Sequence, residues 1–340
     1  MKNQIDNRHI YNNMVNLNIL LPEGFLNEEI RNGYKIPHEM KKVWAVELDL
    51  LAEFDRVCKK HGIKYIASGG TMLGAARHKG FIPWDDDVDL MMMRDEYEKL
   101  CEIAPTEFKH PYFFQTEDTD PGFMRYFARL RNSETTGIQA FEAGYNYKYN
   151  QGIFIDIFPM DAVIDDKKLF ERQYQDMIAI KKKIFKACCW GHHLPYTNTI
   201  GYRIKRYLIL PLFGQLLEKY FNVNKLFHLY MDVCKRFNKE KTEYISLLSF
   251  EFEEKRHYIK RRDMEDIIEV DFEFMKIPTI ANYDEALRWK YGDYTKPVKE
   301  QNYHGDIIFD TNTSYIEYYK THHFEPIDIN IFYKMEERKS

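Results

Sequence analysis

Cysteine is scarce in this chain. Five are scattered over 340 residues, Cys58, Cys101, Cys188, Cys189 and Cys234, with no C-x-x-C pair and no zinc spacing. That excludes a disulfide scaffold and points to reduced thiols in a cytoplasmic protein. Cys101, inside a helical pattern, reads as core. Long hydrophobic runs are missing as well. The longest, residues 207–217, contains Pro211 and is too short to span a bilayer. The opening MKNQIDNRHIYNNMVNLNILL has no compact apolar region behind a basic start, which argues against a secretory signal. Excess positive charge is lacking too: 49 Lys and Arg face 53 Asp and Glu, a formal net charge of −4. No global basic field draws nucleic acid. Internal repeats and low-complexity tracts are also missing.

Apolar and aromatic residues are plentiful, at 44% and 16%. A chain of this length and composition can bury a sizeable core, as one large domain or two ordinary ones.

One stretch organises the rest: SGGTMLGAARHKGFIPWDDDVDLMMM, residues 68–93. Residues 63–67 read as a short strand that ends in the Gly69–Gly70 turn. Residues 71–78 read as a helix with Thr71 near its start. A Gly-Gly turn lets backbone N–H groups approach a phosphate, and a helix start favours the anion. Arg77, His78 and Lys79 add positive charge. The run Asp87-Val88-Asp89-Leu90-Met91 then alternates polar and apolar, as a strand does. Residues two apart on a strand share a face, so Asp87 and Asp89 project side by side. Two such carboxylates repel unless a cation sits between them, and oxygen-only ligands suit Mg²⁺ or Mn²⁺. An acidic run by itself is usually a solvated turn. Here it is fused to the Gly-Gly turn and runs into an apolar strand. Asp85 and Asp86 either support the site or shape the turn.

Two more stretches bear on the site. Residues 123–132 read as a strand with Arg125, Arg129 and Arg131 on one face, a set for phosphate or a plain exposed face. Residues 152–161, GIFIDIFPMD, carry Asp156 inside an apolar strand, where an acid is costly unless paired or liganded. Asp156 is therefore the third carboxylate of the site, as metal ligand or as general base. Asp161, after Pro159, reads as a cap for the next turn. His192–His193 reads as a loop pair and not as a metal site.

The stretch GGTMLGAARHKGFIPWDDDVDL resembles the signature of LicD-type phosphotransferases, relatives of fukutin and fukutin-related protein. GIFIDIFPMD and FMKIPTIANYDEALRWKYGDY, residues 274–294, are similar to that family's later motifs. The resemblance spans roughly residues 35–305. It implies an α/β (α+β) fold of the nucleotidyltransferase superfamily: a polymerase-beta-like mixed sheet flanked by helices, here with an added helical region. It implies Asp87, Asp89 and Asp156 as catalytic metal ligands for Mg²⁺ or Mn²⁺. Gly69, Gly70, Thr71, Arg77, Arg129 and Arg131 would bind the donor; the family pattern favours Arg129 and Arg131. It implies transfer of phosphocholine from CDP-choline to a hydroxyl of a cell-surface or lipid-linked glycan, with release of CMP. CDP-ribitol or CDP-glycerol would be the alternative donor. Nucleotidyl transfer with release of pyrophosphate, and a non-catalytic nucleotide- or glycan-binding module, are the other readings.

Choline is a cation without hydrogen-bond donors and wants aromatic faces. Phe81, Trp84, Tyr145, Tyr147 and Tyr149 are available for that, while Asn146, Asn150, Gln139 and Gln151 would suit an alditol. The expected organisation is a loosely attached polar leader over 1–36 and a catalytic core over 37–165. A helical region over 166–240 shapes the acceptor side, 241–310 completes the domain, and 311–340 is a tail. Arg203, Lys205 and Arg206 beside the apolar residues 207–217 read as a membrane-surface contact at the inner face of the cell membrane, or as a core helix kinked at Pro211.

Overall fold

The structure, a computed structural model, describes residues 14–145, 147–190, 197, 199–213, 216, 222–249, 258–297 and 307–326. Helix α1 (His38–His61) is its spine. Pro37 precedes it in extended conformation, Glu39 lies in its first turn, and Lys59, Lys60 and His61 lie in its last. Those charges complement the helix dipole. Gly62 closes it at φ 62°, the left-handed conformation that glycine adopts without strain. Trp44, Leu48, Leu50, Leu51 and Phe54 are fully buried against the sheet.

Before α1 stands a hairpin, β1 (Glu29–Arg31) and β2 (Tyr34–Ile36). After it come β3 (Ile66–Ala67), α2 (Gly69–His78), β4 (Asp89–Met93), α3 (Arg94–Glu107) and β5 (Tyr112–Gln115). Then follow β6 (Ala128–Asn132), β7 (Thr136–Gln139) and the long β8 (Ile153–Val163). β8 is the centre of a mixed sheet. It runs parallel to β4 and antiparallel to β6 and to β9 (Tyr244–Ser246). β3 pairs with β4, β5 with β6, and β10 (Ile259–Lys260) with β9.

Helices α4 (Lys167–Trp190), α5 (Ile200–Ile204) and α6 (Val223–Cys234) follow β8. Met177, Ile180 and Ile184 of α4 pack with Tyr230, Val233 and Cys234 of α6 in a second, smaller core. The hairpin β11 (Ile267–Phe272) and β12 (Met275–Ile280) leads into α7 (Tyr283–Tyr291). β13 (Ile307–Asp310) returns to pair with β7, and α8 (Tyr315–Thr321) follows.

Several sequence expectations change here. Residues 14–36 are not a loose leader: Met14, Val15 and Leu17 are buried in the main core, and the Val15 N–H donates to the Thr311 carbonyl. The Asn18 and Ile19 N–H groups donate to Asp49 of α1 at 2.7 and 3.1 Å. A polar-looking segment still docks when its few apolar residues and its N–H groups find partners. Residues 123–132 are not one strand. Gly122 and Met124 take positive φ, and their N–H groups donate to the Glu117 carboxylate, so the chain turns before β6 begins. The strand of the acidic motif begins at Asp89, with Asp87 just ahead of it, and α2 begins at Gly69, two residues before Thr71.

Candidate functional site

The site forms where β4, β8 and the start of α2 meet. β4 and β8 are parallel and in register with Asp89 beside Asp156. The Asp156 N–H donates to the Val88 carbonyl at 2.9 Å, which locks the two strands at that level. The Ser68 N–H donates to the Asp89 carbonyl at 2.9 Å, and the Asp89 N–H donates to the Thr71 hydroxyl at 2.8 Å. These bonds seat the first turn of α2 directly over the carboxylates.

The glycines are sized for this contact. Gly69 has φ +47°, and a Cβ there would lie 3.2 Å from Asp89 Oδ2. A Cβ on Gly70 would lie 2.6 Å from Asp85 Oδ2, closer than any real Cβ contact. Asp85 is in turn fixed by its carbonyl, which accepts from the indole N–H of Trp44 at 3.0 Å.

The acids crowd one another. Carboxylate oxygens of Asp85, Asp86 and Asp87 lie within 4.8 Å of one another. Burial, then the charges of Asp87, Asp156 and Asp85, push the Asp89 carboxyl well above the usual range, with Lys290 opposing. Burial and the neighbouring Asp87 and Asp86 push Asp85 up as well. Sequence reasoning missed two residues here. Glu47 of α1 is 1% exposed, and its Oε2 has no hydrogen-bond partner. Burial and the charges of Asp87, Asp86, Asp85 and Asp156 hold it well above the usual carboxylate range. Glu47 lies three residues after Trp44 and three and four before Leu50 and Leu51, on the apolar stripe of α1, where a lone acid is the available signal. Lys290 lies with its Nζ 4.0 Å from where a Gly69 Cβ would sit. It belongs to the third motif, in the last turn of α7, where a lysine is ordinary and gives no signal of a site.

The arginines are committed in different ways. Arg129 grips Asp156 with two bonds, 2.6 and 3.2 Å, and its guanidinium carbon lies 3.6 Å from the Phe154 ring centroid. Asp156 is thus a paired acid. One nitrogen of Arg129, Nη1, is buried without a hydrogen-bond partner. Arg131 is spent on Gln115 and on the Gly152 carbonyl, and burial holds its pKa down at about 9. Arg125 lies outside β6 and pairs with Glu142. Arg77 donates to the Tyr294 carbonyl at 2.9 Å, which ties α2 to the third motif.

The aromatic set does not form one cage. Phe81 is 2% exposed, stacked on Trp44 at 4.6 Å and packed on Phe272 at 4.9 Å, so it is core. Tyr145, Tyr147 and Tyr149 stack in a column at 5.4 and 5.1 Å, and Tyr149 is buried with its hydroxyl on Glu142. The amides of the other set are also engaged: Gln139 with Arg125, Asn150 with Ser133, Gln151 with the Tyr147 carbonyl. Asn146 and the His192–His193 pair lie outside the described residues.

Residues 62–189 match the model of the LicD/FKTN/FKRP nucleotidyltransferase domain. The lipopolysaccharide cholinephosphotransferase LicD of Haemophilus influenzae is 28% identical over 269 residues, which cover 78% of this chain and 95% of that protein. An uncharacterized protein of Rickettsia prowazekii is 41% identical over 56 residues, 16% of this chain and 21% of that protein. One of Rickettsia typhi is 40% identical over 60 residues, 18% and 19% respectively.

Proposed function

We propose that this chain, which matches the LicD family model over residues 62–189 and a LicD cholinephosphotransferase over 78% of its length, transfers phosphocholine from CDP-choline to a hydroxyl of a cell-surface glycan, releasing CMP. The observation that carries the reading is the register of Asp89 beside Asp156 under the Gly69–Gly70 turn. The relative named above as a lipopolysaccharide cholinephosphotransferase supports the choice of group and acceptor. The mixed sheet flanked by helices supports the nucleotidyltransferase fold.

In this reaction the acceptor oxygen bonds to the choline-bearing phosphorus. The bond from that phosphorus to the oxygen bridging the two phosphates breaks, and CMP leaves with the electron pair. The N–H groups at the start of α2 would meet the donor phosphates, with Lys290 as the nearby cation. Thr71 backs the turn through its bond to Asp89. Arg129 holds Asp156 in place either as a ligand or as the acceptor of the hydroxyl proton. The carboxylate oxygens of Asp85, Asp86 and Asp87, within 4.8 Å of one another, and the orphaned Glu47 Oε2 beside them fit a hard divalent cation. Asp87, Asp89 and Asp156 would hold it, and when bound it would neutralise charge developing on the phosphate oxygens.

Incubation with CDP-choline, CDP-ribitol, CDP-glycerol and CTP, with an oligosaccharide acceptor, tests the reading. CMP release fastest from CDP-choline is the expected result. Pyrophosphate from CTP would replace it with nucleotidyl transfer, and faster turnover of CDP-ribitol would replace the donor.

A membrane contact belongs to the same proposal. Among the described residues no helix is long and apolar enough to cross a membrane. Residues 200–216 nevertheless expose Ile200, Tyr207, Leu208, Leu212, Phe213 and Leu216, each more than half accessible, beside Arg203 and Arg206. The helix is not simply kinked at Pro211. It widens ahead of the proline into a π turn, Lys205–Ile209, where the Leu210 N–H donates five residues back to Lys205. An apolar stripe flanked by cations suits an anionic bilayer surface. The protein is expected to co-float with phosphatidylglycerol liposomes at low salt. Leu208→Glu with Leu212→Glu is expected to stop flotation without loss of soluble-acceptor activity. Wild-type protein left at the bottom of the gradient would end the proposal.

A further inference from the structure

Beside the phosphate site lies a cavity of about 420 Å³ that the reaction as described does not use. Three rings line it: Tyr244 from β9, Tyr258 just before β10, and Trp289 from α7. Trp289 is 67% exposed, unusual for so large an apolar side chain. The cavity shares Tyr258, Ile259 and Ala286 with a narrow cleft of about 40 Å³ lined by Ser68, Gly69 and Lys290. Helix α7 serves both: Ala286, Leu287, Lys290 and Tyr291 face the narrow cleft, while Glu285 and Trp289 face the cavity. A ligand seated there thus lies one helix stripe away from the donor turn.

The polar lining identifies the class of ligand. Asp263 and Glu285 carry negative charge, and Lys260 and Arg288 carry positive charge, so the formal charges cancel. Lys260 and Glu285 are already joined at 2.6 Å, and Arg288 is joined to Asp284 at 2.9 Å. A phosphate or a nucleotide would want a net positive wall. A quaternary ammonium would want rings and carboxylates without the two cations. A neutral molecule rich in hydroxyls fits: its apolar ring faces lie on Trp289 and the tyrosines, and its hydroxyls meet donors and acceptors of both signs, Asn282 among them. The volume falls in the range of sites for small molecules.

We propose that this cavity is a saccharide subsite that seats the acceptor, with Trp289 as its stacking platform. The inference rests on the transferase reading above, and its test separates the two. Saturation-transfer NMR with a neutral oligosaccharide, free of phosphate and acidic sugars, reads the sugar. Calorimetry with CDP-choline reads the donor. Trp289→Ala is expected to weaken oligosaccharide binding about tenfold, as loss of a ring anchor does. Trp289→Phe should retain most of it, and CDP-choline affinity should not change in either variant. Trp289 is a surface residue, so both variants should fold. Oligosaccharide binding unchanged in Trp289→Ala, or no oligosaccharide binding to the wild type, would overturn the subsite. So would loss of CDP-choline binding in place of oligosaccharide binding. If oligosaccharide binding depends on Trp289 but no CDP compound yields CMP, the subsite stands and the donor reading falls.

Discussion

Asp89→Asn is expected to abolish transfer, yet to melt no lower than the wild type in metal-free buffer. The two halves have one cause. Asp89 is half-buried beside Asp87, Asp156 and Asp85; loss of solvent, then those three charges, raise its carboxyl well above the usual range. A group raised in the folded state holds a proton that the unfolded chain has already lost. Its contribution to stability is therefore present below the ordinary carboxylate range and is lost as pH rises through the raised value. Metal-free wild type should lose stability along that rise, and Asp89→Asn, neutral throughout, should lose less. A divalent cation should restore the wild type and do little for the variant. Loss of one charge that faces the transition state costs about 3–4 kcal/mol, or a hundredfold to a thousandfold in rate. Melting curves against pH, with and without Mg²⁺, and CMP release read both halves. Near wild-type turnover at saturating Mg²⁺ would remove Asp89 from the site. Asp87→Asn is expected to behave likewise.

The parts of the site that were legible in the sequence are those set by local chemistry. The Gly-Gly turn announces a helix start, and the alternation over Asp87-Val88-Asp89-Leu90-Met91 announces a strand, which in the structure begins only at Asp89. The apolar run around Asp156 announces a central strand, and β8 is the centre of the sheet. Helix α1 ends where its own residues mark an end, with Lys59, Lys60 and His61 in the last turn and Gly62 after it. Strand pairing was not legible. Nothing local says that β4 lies parallel to β8 with Asp89 opposite Asp156, because that register depends on residues 67 apart in the chain.

The same limit explains the misread side chains. Period alone cannot tell a solvent face from a protein face covered by a distant segment. Phe81 looked available because it lies within the acidic motif, but Phe272 covers it from nearly two hundred residues away. Arg129 and Arg131 share a face, yet one meets Asp156 and the other meets Gln115. Glu47 was hidden in the opposite sense: an acid on an apolar stripe reads as a blemish until the carboxylates it faces are known.

Asp161→Ala is expected to be the most destabilising of these changes while leaving the chemistry of each folded molecule intact. Asp161 reads in sequence as a turn cap, but it lies inside β8, fully buried. Its carboxylate takes both arms of Arg94, the first residue of α3, at 2.9 and 2.6 Å. It also accepts from the Asn238 side-chain amide at 2.8 Å, and Oδ1 of the same side chain accepts from the Ala162 N–H. One carboxylate thus joins β8, α3 and the end of the helical region. Burial alone would lower the Arg94 pKa; the ion pair with Asp161 outweighs it and raises the value above normal. Removal of Asp161 leaves that guanidinium buried and unpaired, at about 3–5 kcal/mol. Against a typical total of about 5–15 kcal/mol, this is a large fraction. Denaturant unfolding should show the loss, and CMP release at low temperature, per folded molecule, should stay near wild type. Arg94→Met together with Asp161→Leu should regain most of the stability, since the pair is then replaced by apolar volume. A loss below about 1 kcal/mol for Asp161→Ala would mean that water reaches Arg94 and that the joint is not a buried one.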